Sequence, residues 1–258
     1  MSDHSDDGKG LPVVLMHGFA NDHLLWREQV SPLAGRYRIV AVDLIGHGEG
    51  ASADGKPVSM DAYADDVVAT MDRLGIERAV VGGISLGGYV AMAMALRHPD
   101  RVIATVLANT RAIGDTPAQK ANRDKLAAAI AEKGGEAVVT AFADKPLRPD
   151  APEALKEEIR RMNRRQPKEG LISATLGMRD RPDRTPELAR MRQPSLVITG
   201  TADVFIPPSE SEPIHRGIAG SAYVNIPGGG HLSCIDSPAP FNAVLEKWLA
   251  PLAQEYAS

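Results

Sequence analysis

Six short stretches of the chain, at positions 11–16, 37–42, 79–81, 102–107, 195–199 and 223–226, are dominated by apolar residues, most of them rich in valine or isoleucine. Apolar and polar positions do not alternate within them, so they read as strands covered on both faces, as in a parallel sheet. Between them the spacing becomes helical. Over 60–74, Tyr63, Val67, Val68, Met71 and Leu74 share one face, with Ser59 placed to cap the start and Gly75 to supply the stop. A second helix is expected from just after Ser85 to about His98, before Pro99, and a last one over 240–249. Strands alternating with helices in this order predict an α/β fold built on a doubly wound, mostly parallel sheet.

One region departs from the rhythm. From 111 to 192 there is no convincing strand, only helical stretches at 117–133, 136–142, 152–165 and 168–178, separated by signals such as Gly134-Gly135 and Lys145-Pro146. The expected organisation is a core formed by 1–110 and 193–258, with 111–192 as a helical cap over the sheet edge where open α/β sheets place their ligands. Positions 1–8 read as an acidic polar tail.

Composition narrows the classes. With 43% hydrophobic and 24% charged residues in 258, the chain is an ordinary globular one with enough length for a large core. A net charge of -4 gives no global attraction to nucleic acid or anionic membranes. The run Arg160-Arg161-Met162-Asn163-Arg164-Arg165 reads as a solvated helix face, diluted by Glu153, Glu157 and Glu158. A single cysteine, Cys234, excludes an intramolecular disulfide framework, and no secretory h-region or apolar stretch of roughly 20 residues is present, so a cytoplasmic location is expected. Nothing in the pattern indicates an oligomeric state.

The chemistry begins with Gly82-Gly83-Ile84-Ser85-Leu86-Gly87-Gly88, a glycine-rich turn between an expected strand and an expected helix. It is not a phosphate loop, because Gly88 is followed by Tyr89 rather than a Lys-Ser or Lys-Thr pair, and no Gly-x-Gly-x-x-Gly register fits. Gly83-Ile84-Ser85-Leu86-Gly87 does fit Gly-x-Ser-x-Gly, which exposes a nucleophilic serine on a sharp strand-to-helix bend. A serine hydroxyl needs a base. Of seven histidines, His231 is the one placed after the last expected strand, behind Gly228-Gly229-Gly230; His4, His23, His98 and His215 read as solvated or capping residues. Asp203, just past the 195–199 strand, supplies the carboxylate that would orient it. Two backbone donors are needed for the oxyanion: Leu86 N–H and, from the loop after the first expected strand, Phe19 N–H in His17-Gly18-Phe19. Each such donor is worth about 10²–10³ in rate.

In the order Ser85, Asp203, His231, together with His17-Gly18-Phe19 and Asp43-Leu44-Ile45-Gly46-His47-Gly48, the sequence resembles the α/β-hydrolase superfamily over nearly its whole length. It departs at Ile45 and Gly50, where relatives commonly have arginine and serine. The resemblance implies a small helical cap inserted after the sixth strand. Serine at 85 argues against the dehalogenase and epoxide hydrolase branches, whose nucleophile is aspartate. Val106-Leu107-Ala108-Asn109-Thr110 and His231-Leu232-Ser233 resemble the 3-oxoadipate enol-lactonase and small carboxylesterase branch. The implied activity is cleavage of a small-molecule ester or lactone through an acyl-enzyme, with no cofactor and no metal. The same triad also serves perhydrolases resembling non-haem haloperoxidases and hydrolase-derived small-molecule receptors. Trp26, Met162 and Met178 are the candidates for the substrate pocket.

Overall fold

The computed structural model describes residues 3–256. Its strands are β1 (His4–Gly8), β2 (Pro12–Met16), β3 (Arg38–Val42), β4 (Ala79–Ile84), β5 (Val102–Ala108), β6 (Ser195–Gly200) and β7 (Ala222–Ile226). Its helices are α1 (Arg27–Leu33), α2 (Met60–Arg73), α3 (Leu86–Arg97), α4 (Pro117–Lys133), α5 (Gly135–Phe142), α6 (Glu153–Arg164), α7 (Lys168–Asp180), α8 (Pro208–Gly217), α9 (Ser233–Asp236) and α10 (Pro238–Tyr256). The strands form one seven-stranded sheet in the order β1-β3-β2-β4-β5-β6-β7. β2 to β7 run parallel, and β1 pairs antiparallel with β3.

Pleating divides the apolar strands between two cores. Val13, Leu15, Ile39 and Val80 share a core with Trp26, just before α1, Leu33 of α1, and Phe241 and Leu245 of α10. Val14, Met16, Val40 and Val81 face the opposite side, against Met71 of α2, Val90 of α3 and Ile214 of α8. Successive side chains point to opposite faces, so strands buried on both sides have to be apolar throughout. Ser59 caps α2 by accepting from Ala62 N–H, and Gly75 past its end takes φ +65°.

Three expectations need correction. Residues 4–8 are not a tail but the edge strand β1, whose polar side chains are legitimate because an edge strand is held by its backbone ladder and faces solvent. Asp6 on this strand receives a two-pronged hydrogen bond from Arg38 at 2.9 and 2.6 Å. The helical insertion leaves the sheet after the fifth strand in chain order rather than the sixth, because a single strand precedes β2 among the described residues. The final helix is also longer than 240–249 and runs through Pro251. No helix among the described residues is long and apolar enough to cross a membrane.

Helices α4 to α7 fill the interval between β5 and β6, with α4 started by a reciprocal capping box between Thr116 and Gln119. Their tightest seam with the rest of the chain is made of backbone. A Cβ on Gly170 of α7 would lie 1.7 Å from the Gly46 carbonyl oxygen, and Val58 N–H donates to Ser173 O at 3.3 Å. A side chain at 170 therefore has to push α7 off the 43–50 loop. Gly170→Ala is expected to destabilise the protein by roughly 1–3 kcal/mol, the range for overpacking a tight contact, read as a lower urea midpoint; an unchanged midpoint would show that the seam is slack.

Candidate active site

Ser85 occupies the bend between β4 and α3 with φ 55° and ψ -111°, a backbone region sparsely used by residues other than glycine. Such strain costs of order 1–3 kcal/mol and has to be held by its surroundings. Ser85 N–H donates to Ala108 O at the end of β5 (3.0 Å), and Thr110 Oγ1 donates to Ser85 O (2.9 Å). The flanking glycines are a steric requirement. A Cβ on Gly83 would sit 2.2 Å from the Gly87 backbone, and one on Gly87 would sit 2.2 Å from Met16 O in β2.

Asp203 and His231 meet across the loops that follow β6 and β7, with Nδ1 to Oδ2 at 2.8 Å. The carboxylate is enclosed by donors: Asn109 Nδ2 reaches the same Oδ2 at 2.9 Å, and the N–H groups of Phe205 and Ile206 reach Oδ1 at 2.8 and 2.9 Å. Burial pushes the Asp203 pKa up, but the imidazole and these hydrogen bonds outweigh it, and the net direction is down. An ionised carboxylate can only accept, so His231 donates from Nδ1 and keeps Nε2 as the basic atom. Ser85 and His231 line one cavity. Among the described residues no hydrogen bond joins them directly.

Asn109 is a member of this site that the strand pattern did not reveal. It has φ 43°, donates to Asp203 and to Gly230 O (3.1 Å), and accepts from Ser233 Oγ (2.6 Å). Its polarity at the end of an otherwise apolar strand was the available signal. Asp236 acts similarly on the histidine loop, accepting from Gly230 N–H (3.0 Å) and from Arg148 N–H of the insertion (2.8 Å).

On the other side of Ser85, Phe19 follows β2 and lines the cavity, while Leu86 is the first residue of α3 and is fully buried. Among the described residues neither backbone N–H has a hydrogen-bond acceptor. The loop carrying Phe19 is fixed from behind by His17, whose Nδ1 donates to Gly18 O (2.7 Å) while Nε2 accepts from Leu44 N–H (3.0 Å). Burial lowers the His17 pKa, consistent with this neutral tautomer. Asp43 holds the adjoining loop, accepting from the His23 backbone N–H (2.7 Å), the His23 ring (2.9 Å) and Glu49 N–H (2.9 Å).

The cavity has a volume of about 360 Å³. Phe19, Phe142 and Phe205 line it as a chain of edge-to-face rings with centroids 6.2 and 5.3 Å apart, and Phe205 continues edge-on to His231 at 5.4 Å. Of the three expected pocket residues, Met178 lines the cavity. Trp26 does not. It is fully buried on the far face of the sheet, its ring 6.1 Å from that of Phe241 in α10. Met162 does not either: α6 presents Ile159 and Asn163 to the cavity, while the Met162 sulfur accepts from Asn21 Nδ2 at 3.5 Å. Among the described residues no group of His, Cys, Asp and Glu side chains is placed to hold a metal.

A family model described as alpha/beta hydrolase fold matches residues 12–238. The chain is 35% identical to a thermophilic esterase from Thermogutta terrifontis, with a TM-score of 0.92 over 97% of this chain and 93% of that one. The enol-lactonase from Burkholderia xenovorans superposes with a TM-score of 0.88 at 28% identity, covering 96% of this chain and 95% of that one. A 3-oxoadipate enol-lactonase from Acinetobacter baylyi is 28% identical over 91% of this chain and 86% of its own length.

The depressed pKa of Asp203 ties stability to pH. Its ionised form is favoured by the fold, so its contribution is complete above the unfolded-state value, about 4, and is lost as pH falls through the lower folded value. Asp203→Asn removes that contribution, so the variant should be less stable at pH 7 and should lose less further stability between pH 5 and pH 3 than the parent. Urea unfolding at the three pH values measures the difference; parallel pH profiles would contradict it.

Proposed function

This chain belongs to the alpha/beta hydrolase family, and on that premise we propose that it cleaves a carboxylic ester or lactone through an acyl-enzyme on Ser85. The observation that carries the reading is the Asp203–His231 pair, 2.8 Å apart, opening onto the same cavity as the strained Ser85. Ser85 Oγ attacks the carbonyl carbon as its proton passes to His231 Nε2. Asp203 holds the ring and stabilises the imidazolium. The gap between Ser85 and His231 closes when substrate occupies the cavity, as catalytic hydrogen bonds often do.

The developing oxyanion accepts from Phe19 N–H and Leu86 N–H, two donors with no competing acceptor among the described residues. His231 returns its proton to the leaving alcohol and then takes one from water, which attacks the acyl-enzyme and releases the acid. In a lactone the leaving alcohol stays attached to the acyl chain and the product is a hydroxy or oxo acid. The family's esterase and enol-lactonase members support this substrate range. Residues 111–192 act as a cap over the core of 1–110 and 193–258: Phe142 and Met178 bring part of the cavity wall from the insertion.

Ser85→Ala should retain the parent's urea midpoint and lose at least about 10³-fold in hydrolysis of 4-nitrophenyl butyrate, in line with removal of a triad nucleophile. A fluorophosphonate should label the parent on the peptide bearing Ser85. Turnover by Ser85→Ala at the parent rate would falsify the assignment.

A further inference from the structure

One wall of the cavity carries charge that acyl transfer does not use. Arg111, Asp115 and Arg123 all line it, with Arg181 buried behind. The Asp115 side chain is wholly buried and accepts from three guanidinium groups: Arg111 Nη2 at 2.8 Å and Arg181 Nη1 at 2.7 Å on Oδ1, and Arg123 Nε at 3.1 Å on Oδ2. Arg111 Nη1 also reaches Glu210 at 2.5 Å. Three cations face two anions, leaving one positive charge in excess.

A purely structural ion network accounts for part of this cluster. Arg181 ties α7 down by donating to Met178 O (2.7 Å) and Ile113 O (2.9 Å) and stacks on Tyr89, its guanidinium carbon 4.3 Å from the ring centroid. Arg123 is surplus to that task, because Asp115 keeps two cations without it. Its two terminal nitrogens have no acceptor among the described residues, while its side chain is 21% exposed at the cavity wall. Arg111 Nε is likewise buried without an acceptor. Unpaired donors on buried cations are unfavourable, and a planar carboxylate matches a guanidinium fork.

We propose that Arg123, backed by Arg111, is a subsite for a free carboxylate on the substrate, so that the preferred esters or lactones carry a second, ionised acid group on the acyl chain. The inference rests on acyl transfer at Ser85. Tyr89 lines the cavity one turn of α3 beyond Ser85, a rise of about 6 Å, and Arg181 of the cationic group sits over its ring at 4.3 Å. With Tyr89 between Ser85 and that stacked guanidinium, the proposed substrate has several carbons between its scissile carbonyl and the recognised carboxylate. Leu126 and Phe142 offer that chain an apolar wall, and the exposed Asn122 beside Arg123 marks where the cavity meets solvent.

Binding without turnover tests the subsite first. Ser85→Ala protein titrated calorimetrically should bind glutarate at least about tenfold more tightly than butyrate, the scale of one charge-assisted pair. Adding Arg123→Gln should erase the difference, and Arg123→Lys should restore part of it. In the active enzyme, kcat/KM for 4-nitrophenyl hydrogen glutarate should exceed that for its neutral methyl ester mainly through KM, and Arg123→Gln should collapse that ratio. Hydrolysis with no charge preference, or a ratio indifferent to residue 123, overturns the subsite and leaves the Ser85 chemistry standing. Arg123-dependent glutarate binding with neither ester hydrolysed overturns the Ser85 chemistry instead.

Discussion

The backbone of β4 passes so close to that of α3 and β2 around Ser85 that neither Gly83 nor Gly87 has room for a Cβ, and most of the site geometry follows from that approach. The bend can be this tight because β4 lies between two parallel neighbours, with Met16 level with Gly83 and Ile84 level with Ala108. Those pairings fix where the strands end. The ends in turn fix where the Phe19 loop, the Ser85 bend and the Asn109-Thr110 turn emerge. The positive φ of Ser85 is tolerated because two hydrogen bonds from the β5 end hold its N–H and C=O. Strain at the serine and register in the sheet are therefore one constraint.

Around the carboxylate the logic is electrostatic. Removing an ionised aspartate from water is expensive unless donors replace the solvent. Asp203 has four: the His231 ring, the Asn109 amide and two backbone N–H groups. Asn109 is itself held by Ser233 and tied to Gly230, so the strand ends carrying Asp203 and His231 are braced against each other. The pair's orientation thus depends on a side chain that does not line the cavity.

Much of this was legible in the sequence because it is local. A Gly-x-Ser-x-Gly turn needs a strand before it and a helix after it, and both are strongly patterned; α4 spans the 117–133 stretch that the Gly134-Gly135 signal closes. What was not legible depends on partners distant in the chain. β1 has no apolar pattern because a ladder to β3, not a buried face, holds it. Trp26 and the Phe19 loop are near neighbours in sequence, yet the chain crosses to the other side of the sheet between them, so Trp26 packs on α10. For Met162 and Met178 composition gave equal reason to expect contact with substrate. The rotation of α6 and α7 about their axes decides between them: it turns Met162 toward Asn21, while Gly170 seats α7 against the 43–50 loop backbone.

The insertion is also coupled to the loop that carries Phe19, the proposed oxyanion donor. Asn163 of α6 donates to Ala20 O at 2.8 Å, just after Phe19, and Ala20 itself has φ 59°. Two residues on, Asp22 accepts from both Arg165 and Gln166, the latter at 3.0 Å, and Gln166 also takes the Gly48 N–H at 2.9 Å. The end of α6 and the two residues after it therefore grip the chain just past Phe19, at the Ala20 carbonyl and the Asp22 carboxylate. A rigid oxyanion donor has to be placed to a fraction of an ångström, since its value lies in being organised before charge develops. Under the proposed acyl transfer, changes in α6 that enlarge or reshape the pocket also act on the Phe19 N–H, so substrate range and turnover are coupled there instead of being separable properties of insertion and core.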